Sequence, residues 1–329
     1  MPTYGNLPGQ KYIAGIPGTQ IEPTVAQGDQ QIFYVNAGHA NASDFNYGTD
    51  PDAPLATLQE VMDRPMGQSA IVSPVLAAGD VIYVKGNITE TVVTNEDVPQ
   101  DVHLIGVGGG IDTPVWTAAT AAGTAFTLRQ AGWTISGFRF TTGAAGTAVR
   151  LEWVPGSSYE ANRTLITGNY FDGAWAGLYA IDLFGAPFDV WIVGNEFREY
   201  RRGDASAYAI IVTDSSTANP YMCVIRDNIF WENENHIGSL GNNKSFNLTL
   251  FKDNIFHDGV LIAATLLLDL RGGSQGENIV TGNTFCGDYS NAGGYYANAA
   301  NPGMWVGNFA EDVLEAEVAD NGVTVAPPA

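Results

Sequence analysis

Cysteine is nearly missing from this chain of 329 residues: there are two, Cys223 and Cys286, far apart and in no CxxC pair. A disulfide framework is thereby excluded, and a thiolate metal site has no spacing to support it. Bases are scarce too, 14 Lys and Arg against 35 Asp and Glu, for a net charge of −21. Such a surface repels phosphate backbones and anionic headgroups, so neither nucleic acid nor membrane is an expected partner. Long apolar runs are absent, and the best, Val260 to Leu268, is too short to cross a bilayer. The opening MPTYGNLPGQKYIAGIPG has no basic stretch followed by an apolar one, so no secretion signal is read. The four histidines show no metal-ligand spacing, and no nucleophile-elbow motif supports Ser-His-Asp chemistry.

What the chain has is glycine, aromatics and a repeated phrase. Apolar residues make up 45%, enough for a large core, while 39 glycines and 11% aromatics suit strands and turns over long helices. The phrase reads TISGFRF at 134–140, LITGNYF at 165–171, WIVGNEF at 191–197 and VIRDNIF at 224–230. It continues as LFKDNIF at 250–256, IVTGNTF at 279–285 and MWVGNFA at 304–310. Successive copies lie 25–33 residues apart, a solenoid period with variable loops. One coil cannot bury its apolar face alone, whereas stacked coils bury a continuous one. The expected fold is therefore all-β: a right-handed parallel β-helix with strand spacing of about 4.8 Å.

In that stack equivalent residues fall above one another. Asn169, Asn195, Asn228, Asn254 and Asn283 form one column, with Phe138 taking the Asn place in the first copy. The asparagines are expected at a tight bend, in the left-handed conformation that Asn tolerates, with amides bonded from coil to coil. Phe140, Phe171, Phe197, Phe230, Phe256 and Phe285 are expected to form an internal aromatic stack. The last copy departs, because Phe309 follows Asn308 at once.

Four segments follow from this pattern. Residues 1–31, rich in Gly, Pro and Gln, read as an extended arm; residues 32–78 as a strand, a polar loop and a short helix that covers the open end. Leu55, Leu58, Val61 and Met62 share one face of that helix. Residues 79–310 hold the coils, and 311–329 a closing segment and tail. The order of strand, GTDPDAP loop, LATLQEV helix, GDVIYV and LIG resembles the opening of pectin-lyase-like β-helix proteins. It resembles especially those on the virions of tailed phages. The likeness covers about residues 32–110 as a motif and 134–310 as a style of repeat. It implies a homotrimer on the virion surface, made in the host cytoplasm. Residues 1–31 would attach it to capsid or tail proteins, and host surface glycans are a further implied partner. A capsid-decorating or head-spike protein fits better than a tailspike, because no separate globular anchor is evident.

Chemistry is harder to find. Neither the RxPxxR segment of pectate lyases nor the paired aspartates and GHG of polygalacturonase-like hydrolases occurs. The remaining constellation is Glu199, Glu232 and Asp258, each four residues after a repeat Asn. Stacked one per coil, such carboxylates have the close spacing of a retaining glycosidase, and repulsion would raise the pKa of one. The plainer reading is a solvated acidic column. A polysaccharide hydrolase or lyase thus stays open beside a purely structural role. Trp153, Tyr159, Trp175, Tyr295 and Tyr296 sit in loop-like inserts, where they would stack on sugars or pack against sister subunits. Asp44, Asn46 and Asp50 resemble part of a calcium loop without its terminal glutamate, and equally an Asx turn. No other cofactor is implied.

Overall fold

The computed structural model describes residues 30–310, apart from 70, 72, 155, 204–205, 214–218, 240–245, 259–267, 271–277, 288–295 and 298–303. Residues 1–29 of the expected arm and the closing segment 311–329 therefore lie outside the described residues, as does Tyr295. Among the described residues three parallel sheets run along the molecule, with ten strands in sheet I, nine in sheet II and eight in sheet III. The chain visits I, II and III in turn, then returns to sheet I one winding on. Leu165–Thr167, Tyr170–Asp172 and Tyr179–Phe184 make one coil; Trp191–Val193, Glu196–Arg198 and Tyr208–Thr213 make the next. This is the right-handed parallel β-helix that the repeat predicts, wound in the hand that strand twist favours.

The strands are short because each coil turns three corners. A three-residue strand turns one side chain inward and two outward. On sheet I the inward residues include Ile166, Ile192, Ile225, Phe251 and Val280, all fully buried. On sheet II they are the repeat phenylalanines. From Phe140 to Phe285 their rings stack at 4.8–5.0 Å between centroids and 6–13° between planes. Trp116 extends the stack one coil toward the N-terminus at 5.4 Å. Sheet III closes the core with Leu151, Ile181, Ile210 and Ile237.

The asparagine column joins sheets I and II. Asn169 Nδ2 donates to Asn195 Oδ1 at 3.1 Å, and the link repeats to Asn228, Asn254, Asn283 and Asn308 at 3.2, 3.0, 2.9 and 3.0 Å. The same Oδ1 atoms accept the backbone N–H of the preceding asparagine, and each second N–H reaches a sheet I carbonyl, as Asn228 Nδ2 does to Ile192 O at 2.8 Å. One expectation needs correcting. The left-handed residue is the one before each asparagine: Gly168, Gly194, Asp227, Asp253, Gly282 and Gly307, with φ of 52–67°. Gly or Asp makes the bend, which leaves Asn in ordinary backbone with its amide free to satisfy the buried corner. The end copies follow from the same geometry. Phe138 N–H donates to Asn169 Oδ1 at 3.0 Å, so its backbone continues the column. At the far end Ala310 pairs with Phe285, and Phe309 turns outward.

A second left-handed column stands two residues ahead of the sheet I strands. It holds Asp101, Gly132, Arg163, Asp189, Met222 and Leu248, with φ of 50–77°. The N-terminal end is built from Ile32–Val35, the edge strand of sheet I, and the helix Leu58–Asp63. Thr57 caps the helix, and Leu58, Val61 and Met62 enter the core beside buried Leu55. The Glu90 carboxylate accepts from Leu58 N and Gln59 N, which fixes the helix against the first coil.

Candidate functional site

Outward residues of sheet II bring charge and flat rings together. One file holds Arg139, Tyr170, Glu196 and Ile229; the other holds Asp172, Arg198, Trp231 and His257. Arg139 Nη2 pairs with Asp172 Oδ2 at 2.7 Å, and its guanidinium lies 5.2 Å from the Tyr170 ring centre. Arg198 lies between Tyr170 and Trp231, 5.7 and 5.5 Å from their ring centres, and is paired with Glu196. Trp231 stacks on His257 at 3.9 Å and 3°. Ring faces and guanidinium planes so fixed attract one another and lose little entropy when a ligand arrives.

Just past these strands the chain bends toward sheet III. Glu199 and Glu232 occupy this bend on neighbouring coils, both left-handed, with φ of 58° and 52°. Glu199 N–H donates to Trp231 O at 3.2 Å, and Glu232 N–H to His257 O at 3.0 Å, so the two residues share one column. Burial lifts the Glu199 carboxyl above its usual range, and the charges of Asp172 and Glu232 add to the lift. Asp258 pairs with Gly287 in the next coil, and its side chain lies outside the described residues. The sequence reading therefore brought together Glu199 and Glu232, and the structure adds Asp172 as their neighbour.

The aromatic candidates divide between two places. Trp175 stands in the bend after Tyr170–Asp172, half exposed, with the Arg201 guanidinium 5.2 Å from its ring centre. Trp153 and Tyr159 belong to the loop that leaves sheet III: Trp153 bridges to Glu160, and Arg129 covers Tyr159 at 4.4 Å. Tyr296 lies in a sheet III strand, Tyr296–Ala297, with its side chain outside the described residues. Tyr170, Arg198, Trp231 and His257 were missed as functional candidates. Reading one place before and after each repeat Phe would have found them.

The calcium candidates serve the cap loop. Asp44 accepts from Ala56 N, Thr57 N and Thr57 Oγ1 at 2.9–3.0 Å. Asn46 Nδ2 donates to the Asn41 and Pro54 carbonyls, and Asp50 Oδ1 accepts from Asp52 N. Among the described residues no group of three His, Cys, Asp or Glu side chains is placed to hold a metal ion. A further ionic group sits on sheet III, where Arg150 Nε meets the fully buried Asp182 at 2.8 Å and Thr213 donates to the same carboxylate. Burial pushes the Asp182 carboxyl up to about 6 against the pull of Arg150.

No protein-family model matches the sequence, and no curated protein matches it. Similar solved structures include a mutant tailspike protein of E. coli bacteriophage HK620 in complex with a pentasaccharide, 11% identical, with a TM-score of 0.49. That alignment covers 74% of this chain and 44% of the tailspike chain, so this chain spans less than half of that protein's length. A rhamnogalacturonan lyase is 14% identical over 89% of this chain and 74% of its own, with a TM-score of 0.46. A protein of Geobacillus virus E2 is 11% identical over 87% and 62%, with a TM-score of 0.38. The class that the sheets define is the parallel β-helix. At such identities the likeness extends to the fold and no further.

Proposed function

We propose that this chain is a structural protein of a phage virion surface that contacts host glycans through the outer face of sheet II. The observation that carries the glycan reading is the file Asp172, Arg198, Trp231 and His257, with Tyr170 in the adjoining file and Glu199 and Glu232 at the bend beyond. With their faces taken up by one another, the rings turn their edges outward beside carboxylates and guanidinium groups, a mixed apolar and polar surface that meets sugar C–H groups and hydroxyls. Arg139 and Arg198 already hold carboxylate partners, so neutral or amino sugars suit this face better than uronic acids. Placement on a virion is supported by the resemblance of residues 32–110 and 134–310 to phage β-helix proteins. In this reading residues 1–31 attach the chain to capsid or tail proteins, a head-decorating place being favoured, and the chain self-associates as a homotrimer.

The test is binding to an array of bacterial surface polysaccharides, followed by Trp231→Ala. Loss of the Trp231 ring weakens binding about tenfold, equivalent to roughly 1.4 kcal/mol. Binding that is unchanged in Trp231→Ala removes this face from the reading. A second reading, a polysaccharide hydrolase or lyase, is favoured by the raised Glu199 carboxyl beside Glu232. It requires shortened products from a bound polysaccharide, with cleavage lost in Glu199→Gln and Glu232→Gln.

A further inference from the structure

Outward apolar side chains gather on one line of the solenoid. On the last six sheet I strands among the described residues the first residue faces out, and it is Leu165, Trp191, Val224, Leu250, Ile279 and Met304, all in register. Trp191, Ile279 and Met304 are 42%, 38% and 52% exposed. Met222 and Leu248, at the left-handed corner two places upstream, are each 48% exposed and widen the line. The two coils before them carry His103 and Thr134 at the same place, so the unbroken apolar run starts at Leu165. Arg226 with Asp227, at 2.8 Å, and Lys252 with Asp253, at 3.5 Å, form a charged margin along it.

Single exposed apolar residues are ordinary, but an unbroken file of them in a chain of net charge −21 is not. The file has a ruler built in: its rungs repeat at the strand spacing of about 4.8 Å. A partner that fits all six rungs needs the same rise, and a second copy of this chain has it. Covering these side chains would bury on the order of 600 Å² per copy, comparable with the roughly 800 Å² per partner of a standard interface. The charged margin is the rim expected around an apolar interface centre.

We propose that the outer file of sheet I is the surface along which copies of this chain pack side by side, parallel and in register. The proposal rests on the self-association in the reading above and gives it a face, distinct from the loops of Trp153, Tyr159 and Trp175. Copies related by an axis parallel to the solenoid place like-numbered residues against one another.

The experiment is sedimentation equilibrium on the full chain at tens of micromolar, with Trp191→Lys and Ile279→Lys against the controls Ile111→Lys and Phe45→Lys. Both controls change apolar residues more exposed than those of the file. The wild type and controls are expected to be oligomeric, and each file variant at least tenfold weaker in assembly with an unchanged circular dichroism spectrum. A monomeric wild type, or file variants that assemble as the wild type does, overturns the proposal. Should a lysine variant lose its fold, Leu250→Cys decides: oxidation is expected to join copies through that residue, and an oligomer that yields no such link refutes the face. Glycan binding measured on the monomeric variants is a separate readout, so loss of this interface and loss of the sheet II site are distinguishable.

Discussion

Truncation of one asparagine in the middle of the column is the sharpest perturbation of this fold. Asn228 accepts from Asn195 N at 2.9 Å and Asn195 Nδ2 at 3.2 Å, and donates to Ile192 O at 2.8 Å and Asn254 Oδ1 at 3.0 Å. It is fully buried, as are Ile192 and Asn254, so solvent does not replace these bonds cheaply. Asn228→Ala leaves the Asn195 N–H and the Ile192 carbonyl without these partners, each at about 1–3 kcal/mol, for a total of roughly 2–6 kcal/mol. Equilibrium urea unfolding, followed by circular dichroism and tryptophan fluorescence, should show the midpoint falling by about 1–2 M. Asn228→Asp is the informative companion. It keeps the accepted bonds but sets a carboxylate against two acceptors, which raises its folded pKa. It should be at least as damaging as Ala at pH 7 and recover stability as pH falls toward 4, when the carboxyl protonates and donates. A cost below 1 kcal/mol for Asn228→Ala, or an acid response in Asn228→Asp no different from the wild type, would refute the reasoning.

Two buried groups give opposing pH dependences. Asp182, raised to about 6 by burial, binds a proton in the folded chain while the unfolded carboxyl is still ionised, so acidification from pH 6 to 4 stabilises by roughly 2 kcal/mol. His236, lowered to about 3 by burial, stays neutral when folded, so acidification below its usual 6.5 destabilises, by roughly 3 kcal/mol at pH 4.5. Asp182→Asn should therefore steepen the loss of stability in acid and His236→Leu should remove it; parallel melting curves across pH 4–8 for both would contradict these assignments. At the corner ahead of sheet I, Arg163→Gly relieves a left-handed side-chain residue and should stabilise by about 0.5–1 kcal/mol. Gly132→Ala at the same column should destabilise, since its Cβ would lie 1.8 Å from Asp101 Oδ1, and thermal melts that gave both substitutions the same sign would overturn that account. Calcium added to chelator-treated protein should leave the melting temperature unchanged, because the Asp44 oxygens are occupied by Ala56 and Thr57; a rise of several degrees would assign the loop to the metal.

The repeat was legible because its two most constrained positions take single residue types. A buried amide has to match the amide above it, and a ring has to match a ring, so Asn and Phe recur where lesser constraints would let residues drift. The left-handed position was misplaced by one residue, because Gly168 and Asp227 share only a backbone conformation and Asn is the more conspicuous neighbour. Sheet III was not legible as a repeat. Its strands, such as Thr147–Glu152 and Tyr179–Phe184, bury most of both faces and follow bends of differing length, so neither alternation nor spacing marks them. The candidate site was half visible. Glu199 and Glu232 fall out of the repeat spacing, but Arg198 and Trp231 differ in type from coil to coil and combine only once the register is known.

The amides of the asparagine column all face one way, each nitrogen toward the oxygen of the following coil. Their dipoles therefore add, and the molecule has a chemical head and tail quite apart from its chain ends. A longer version could be made by duplicating an interior winding, which hands the chain of donors on intact. An inverted winding would set oxygen against oxygen and could not be spliced in, so this protein can be lengthened but not reversed.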